Sequence, residues 1–195
     1  MIEKGCSTVS RLMLGHILTR SNVAHYIQQL YIHRPETYRH CINVGYLVAE
    51  ITYELGVIKN RDDIVCGALL HDIGKLMIPE KILLKPDRLT DEEWCLVQRH
   101  PEFGYDIVKD DPDLSKITKS IILRHHEKFD GSGYPSGLCD LPREIQIVTV
   151  CDIYDALTEK RSYGKEYDYL EALQIMSSEP INNTISDYIR RCPDK

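Results

Sequence analysis

The chain has 195 residues, 43% hydrophobic and 28% charged, with a formal net charge of −6 and a pI near 5.7. That length suits one domain with its own core and is short for two full-sized ones, and the composition is that of an ordinary soluble globular protein. The acidic balance excludes a nucleic-acid binder working through a broad basic surface, so no DNA or RNA polymer is expected as a partner.

The chain reads as consecutive helices with short Pro and Gly punctuation and no strand–turn–strand alternation, which predicts an all-α fold, a single compact helical bundle. Residues 8 to 33 form a first helical stretch with apolar Val9, Leu12, Met13, Ile17 and Leu18, broken around Ser21-Asn22. After Pro35, the segment Glu36 to Leu55 carries Ile42, Leu47, Val48, Ile51 and Leu55 at helical spacing and stops at Gly56. Glu36 and His40 therefore share one face, one turn apart. Asp62 or Asp63 is expected to cap the next helix, which delivers His71-Asp72 just before Gly74.

Pro79 and Pro86 mark an extended connection. Thr90-Asp-Glu-Glu93 has the form of a capping box, opening a helix through Trp94 and Val97 that reaches His100, where Pro101 begins the next. Asp113 is expected to start a helix with Ile117, Ile121 and Ile122 inward and His125-His126 at its far end. A Gly-rich loop, Asp130-Gly-Ser-Gly-Tyr-Pro135, runs on to Gly137. Pro142 starts a helix through Ile145, Val148, Val150 and Ile153 that holds Asp152, and two weaker helices fill residues 168 to 192.

Seven cysteines, at positions 6, 41, 66, 95, 139, 151 and 192, form no C-x-x-C pair. That spread points to reduced thiols in a cytosolic protein, mostly small core hydrophobes. No apolar run is long enough to cross a bilayer, since Ile64 to Leu70 stops at His71, and no apolar signal region follows the N-terminal residues. A cytoplasmic location without membrane contact is expected.

The chemistry lies in where His and Asp fall. His40, His71, Asp72, His100, His125, His126 and Asp152 sit within or at the ends of helices otherwise lined by apolar side chains. A buried ionisable group is costly unless paired or bound to a metal, and several in one pocket need a cation. Taken singly, each His has a plainer reading as a cap or surface residue, and Glu36 as a first-turn carboxylate favoured by the helix dipole. His16, His25 and His33 match no motif.

His71-Asp-Ile-Gly-Lys75, then His125-His-Glu followed by Asp130-Gly-Ser-Gly-Tyr-Pro135, resembles the HD-GYP subgroup of the HD phosphohydrolases, in the subgroup's order and spacing from about Arg34 to Tyr163. The resemblance divides the chain into an N-terminal helical segment, 1–33, and an HD-GYP-like domain, 34–195. It implies a metal-dependent phosphodiesterase that cuts a cyclic dinucleotide, foremost cyclic di-GMP, to the linear dinucleotide or to GMP. It implies His40, His71, Asp72, His100, His125, His126 and Asp152 as metal ligands, Asp72 bridging, with Glu36 added where a third ion is present. Two or three divalent ions are then expected, iron or manganese before other first-row metals, which mixed His and carboxylate ligands suit. Such ions activate water for in-line attack on phosphorus. Lys75 is the expected cation beside the reacting phosphate, with Arg161, Tyr134 and Lys165 as further substrate contacts.

The chain departs from the subgroup after the Asp152 helix. The usual Arg-Pro-Tyr-Lys becomes Arg161-Ser-Tyr-Gly-Lys165, with Gly164 in place of the lysine and Lys165 displaced by one position. The usual Gly-x-x-Phe-Asp-Pro ending is replaced by Ser178-Glu-Pro-Ile-Asn-Asn183. Two other readings follow: a hydrolase of another cyclic dinucleotide or nucleotide phosphate, and a catalytically weak module that senses the nucleotide. A protein partner or homodimer contact through the N-terminal helices is expected in either case.

Overall fold

A computed structural model describes residues 8–159 and 167–190. The substrate contacts expected at Arg161 and Lys165 lie outside the described residues. Among those described there is no strand, as the periodicity of apolar residues implied. The helices are α1 (Thr8–Leu18), α2 (Ser21–His33), α3 (Pro35–Glu54), α4 (Arg61–Leu70), α5 (Glu80–Leu83), α6 (Asp91–Val97), α7 (His100–Val108), α8 (Lys116–Arg124), α9 (Arg143–Thr158), α10 (Tyr169–Ser178) and α11 (Asn183–Arg190). A 3-10 helix, Ile73–Met77, follows α4.

Several boundaries differ from the sequence reading, each for a local reason. α4 is entered through Asn60, which adopts the left-handed conformation (φ 60°), so neither Asp62 nor Asp63 is the cap. Both lie in the first turn instead, where the dipole favours carboxylates, and Asp62 meets Arg20 at 3.2 Å. α8 is capped by Ser115, whose hydroxyl accepts the Thr118 N–H, and not by Asp113. The connection between Pro79 and Pro86 is not wholly extended, because α5 makes one turn within it. The Thr90–Glu93 capping box forms as expected, but α6 ends at Val97 and His100 opens α7.

The core is built on α3, α4, α8 and α9, which pack pairwise through Val44, Val48, Ile64, Leu69, Ile121 and Val148, all buried. Each such side chain contributes about 1.5–3 kcal/mol over its exposed state. Gly67 brings α4 against α8, since a Cβ there would lie 2.8 Å from the Ile121 side chain. α1 and α2 join the same core through Leu14, Ile17, Val23, Ile27 and Leu30. Of the described cysteines, Cys41, Cys66 and Cys151 are buried, while Cys95 and Cys139 are exposed.

Candidate metal centre

The ends of three helices and the interiors of two others meet at one buried point. His40 comes from α3, His71 and Asp72 from the C-terminal end of α4, His100 from the start of α7, His125-His126 from the end of α8 and Asp152 from α9. Gly74 sets the register: a Cβ there would overlap the His100 carbonyl oxygen and the Gly104 nitrogen. The 3-10 turn can therefore lie directly on the first turn of α7, which places Asp72 Oδ1 3.1 Å from His100 Nε2.

Hydrogen bonds on the outer side of each ring fix the histidines. Nδ1 of His71 donates to the Ala68 carbonyl at 2.7 Å, that of His100 to Val97 at 2.8 Å and that of His125 to Ile122 at 3.0 Å. A carbonyl only accepts, so the proton sits on Nδ1 and each neutral ring turns the bare Nε2 lone pair inward. Those lone pairs crowd one another, with His100 Nε2 3.1 Å from His125 Nε2. Two unprotonated nitrogens at that separation repel unless a cation lies among them. His40 is held between two carboxylates instead, its Nδ1 donating to Asp155 Oδ2 at 2.7 Å and its Nε2 to Asp152 Oδ1 at 2.9 Å.

Asp72 divides its oxygens between two groups of histidines. Oδ1 faces His100 (3.1 Å) and His125 (3.9 Å), and Oδ2 faces His71 (3.5 Å) and His40 (3.8 Å). Oδ1 is fully buried yet accepts no hydrogen bond, a vacancy in its bonding that a metal ion would fill. Ligand atoms of Asp72, His100, His125 and His126 lie within 4.8 Å of one another, as do those of His40, His71 and Asp72 and those of His71, His125 and Asp152.

The protonation states suit metal binding. Burial pushes the imidazoles of His71 and His125 down, against the pull of nearby carboxylates, and takes His126 to about 3. Burial alone would raise Asp72 and Asp152. Lys75 holds Asp72 well below the usual carboxylate range, and the hydrogen bond from His40 does the same for Asp152. Burial opposes the His40 charge too, but hydrogen bonds from Asp152 and Asp155 lift it to about 9. At neutral pH the cluster thus holds ionised carboxylates and mostly neutral imidazoles, the forms in which these groups ligate.

The Gly-rich loop is fastened beneath the centre by a residue the sequence reading did not single out. Glu127, fully buried, accepts the N–H groups of Ser136 (2.7 Å) and Leu138 (2.9 Å). Gly133 lets the loop lie against its own start, since a Cβ there would meet the backbone of His126, Glu127 and Lys128. The Tyr134 ring then stacks on His126, with centroids 4.7 Å apart and planes at 30°.

Lys75 Nζ lies 2.5 Å from Asp72 Oδ2. A cavity of about 530 Å³ opens beside the centre, walled by His40, His100, His126, Lys75 and Tyr134. Glu36 stands in the same wall but outside the groups of converging ligand atoms, whereas Asp155 and Glu159 form a further group with His40. Asp155, which the sequence reading did not place in the site, orients His40. Its signal was the three-residue step from Asp152, which puts both carboxylates on one helix face.

The chain matches the HD domain family over residues 10–182. It belongs to that family. The HD domain here is 39% identical over 149 residues to a cyclic di-GMP phosphodiesterase of Pseudomonas aeruginosa, covering 72% of this chain and 35% of that one. It is 39% identical over 132 residues to 3'3'-cGAMP-specific phosphodiesterase 2 of Vibrio cholerae, covering 66% and 25%. The chain thus spans about a third or less of the length of these relatives. Among solved structures, the HD domain of the L. monocytogenes phosphodiesterase PgpH superposes with a TM-score of 0.64 at 18% identity, covering 86% of this chain and 94% of that one, a likeness of fold. The HD-GYP resemblance holds, and the HD domain family is metal-dependent.

Proposed function

We propose that this HD domain is a metal-dependent phosphodiesterase that hydrolyses a cyclic dinucleotide, with cyclic di-GMP foremost, to the linear dinucleotide or onward to GMP. The observation that carries the reading is Asp72, whose two oxygens face separate groups of inward Nε2 atoms as a bridging ligand must. In this reading His40, His71, Asp72, His100, His125, His126 and Asp152 would hold two divalent ions, iron or manganese, and Glu36 would add a ligand where a third is bound. Bound there, the ions would neutralise the phosphodiester and supply a water-derived nucleophile near neutral pH.

The chain's own residues do the rest. Lys75, already drawn to Asp72, offers a cation where negative charge grows on the phosphate. Tyr134, stacked on His126, closes one side of the cavity and keeps its phenol protonated, because burial pushes that group up. Arg161 and Lys165 are proposed as further phosphate or base contacts. The domain division at residue 33, the cytoplasmic setting and a partner or homodimer contact through α1 and α2 belong to the same proposal.

The named activities of the relatives favour a second cyclic dinucleotide, 3'3'-cGAMP, as the alternative substrate, and the sequence has Gly164 where the subgroup usually has a lysine. Incubating the manganese- or iron-loaded chain with cyclic di-GMP and 3'3'-cGAMP separates the two. Release of linear product, abolished in Asp72→Ala, is expected. Tight binding without product over hours would instead indicate a sensor.

A further inference from the structure

We infer that Trp94 is the platform on which a nucleobase of the substrate stacks, an assignment that rests on the cyclic dinucleotide reading above. α6 buries none of its residues, and Trp94, the only tryptophan in the chain, is 49% exposed. A large flat apolar ring left half in water does little for the core. It lines the same cavity as His40, His100, His126 and Lys75.

The cavity lining is mixed in chemistry. Part of its wall is the His and Lys group just described, with Arg34 and Arg39, fitted to a phosphodiester. Part is apolar, made of Leu84, Leu89, Trp94 and Val97, with Leu84 itself 42% exposed. A volume of about 530 Å³ with ionic and apolar parts to its wall matches a ligand with an anionic centre and a flat base.

The platform is also held still. Thr90 and Glu93 close the capping box, and Glu93 Oε2 additionally accepts Lys85 Nζ at 2.6 Å, tying α6 to the segment before it. That segment leaves the centre at Lys75 and returns to it at His100, so both ends are anchored by residues of the ionic part of the wall. An indole preorganised in this way loses little freedom when a base settles on it.

Because Trp94 is the sole tryptophan, its emission reports the contact directly. Manganese-loaded full chain titrated with a slowly hydrolysed phosphorothioate analogue of cyclic di-GMP should show saturable quenching, and inorganic phosphate should not. Trp94→Ala should raise KM for cyclic di-GMP roughly ten- to hundredfold, the scale of one lost stacking contact, with kcat changed by no more than about threefold. Trp94→Phe, which keeps a ring, should recover most of the loss. Unchanged emission at analogue concentrations that inhibit hydrolysis, or a wild-type KM in Trp94→Ala, would overturn the platform. Quenching by the analogue in a chain that turns over no cyclic dinucleotide would uphold the platform and sink the hydrolase reading, so the two fail separately.

Discussion

At the scale of single residues, the centre depends on groups that never touch a metal. Asp155 fixes the His40 ring through one 2.7 Å bond, the kind of outer partner whose loss weakens metal binding about 10–100-fold. Asp155→Asn should lower manganese affinity by that factor in a calorimetric titration, and an unchanged affinity would show that His40 is held by other means. Glu127 accepts two backbone N–H groups in a fully buried site. Glu127→Gln turns an amide N–H toward one of those donors, leaving it unsatisfied, and should cost about 1–3 kcal/mol in urea unfolding. The ligand residues themselves were legible in the sequence, because His and Asp at helix ends among apolar residues stand out. The roles of Glu127 and Asp155 were not: a carboxylate that binds loop backbone has no periodic signature, and the helical step from Asp152 to Asp155 gives a shared face but not the ring that Asp155 holds.

At the scale of elements, the junction between α2 and the α7–α8 connection centres on Asp111. Its Oδ2 accepts Asn22 Nδ2 and Tyr26 OH, both at 3.1 Å, and its Oδ1 accepts the Asp113 N–H at 2.9 Å. Burial opposes the charge, yet these donors lower the Asp111 pKa below its usual value. A lowered folded pKa means that the stabilisation is complete above the ordinary aspartate value of about 3.9 and is lost as pH falls through the folded one. Asp111→Ala should therefore melt a few degrees below wild type at neutral pH, with the gap closing below about pH 4. A gap that widens on acidification would contradict this. Sequence alone placed α2 as a helix but gave no sign of this junction, because Asn22 and Asp111 are 89 residues apart. It also put the start of α8 at Asp113, where two candidate caps stand close together and tertiary packing selects Ser115.

At the scale of the whole molecule, the fold is a scaffold that forces unprotonated nitrogens and ionised carboxylates together, and it carries that repulsion until a cation relieves it. Metal bound to the folded state and not to the unfolded chain raises stability by mass action, about 2.7 kcal/mol at a hundredfold excess over Kd. Manganese should thus raise the thermal midpoint and a chelator lower it, with both effects absent in a His71→Ala, Asp72→Ala double variant. The helical class and the meeting of the motif residues could be read in advance from apolar spacing and helix punctuation. The sharing of Asp72 between two groups of histidines was implied by the family resemblance alone and not by spacing, since it depends on Gly74 seating one turn upon another. The most direct measurement is anomalous scattering from crystals of protein purified without added chelator. Expected are at least two metal peaks astride Asp72, each also within bonding distance of the inward Nε2 atoms, with a further peak near Glu36 if a third ion binds. Crystals of active protein with no anomalous peak among these residues would contradict the assignment of a metal centre.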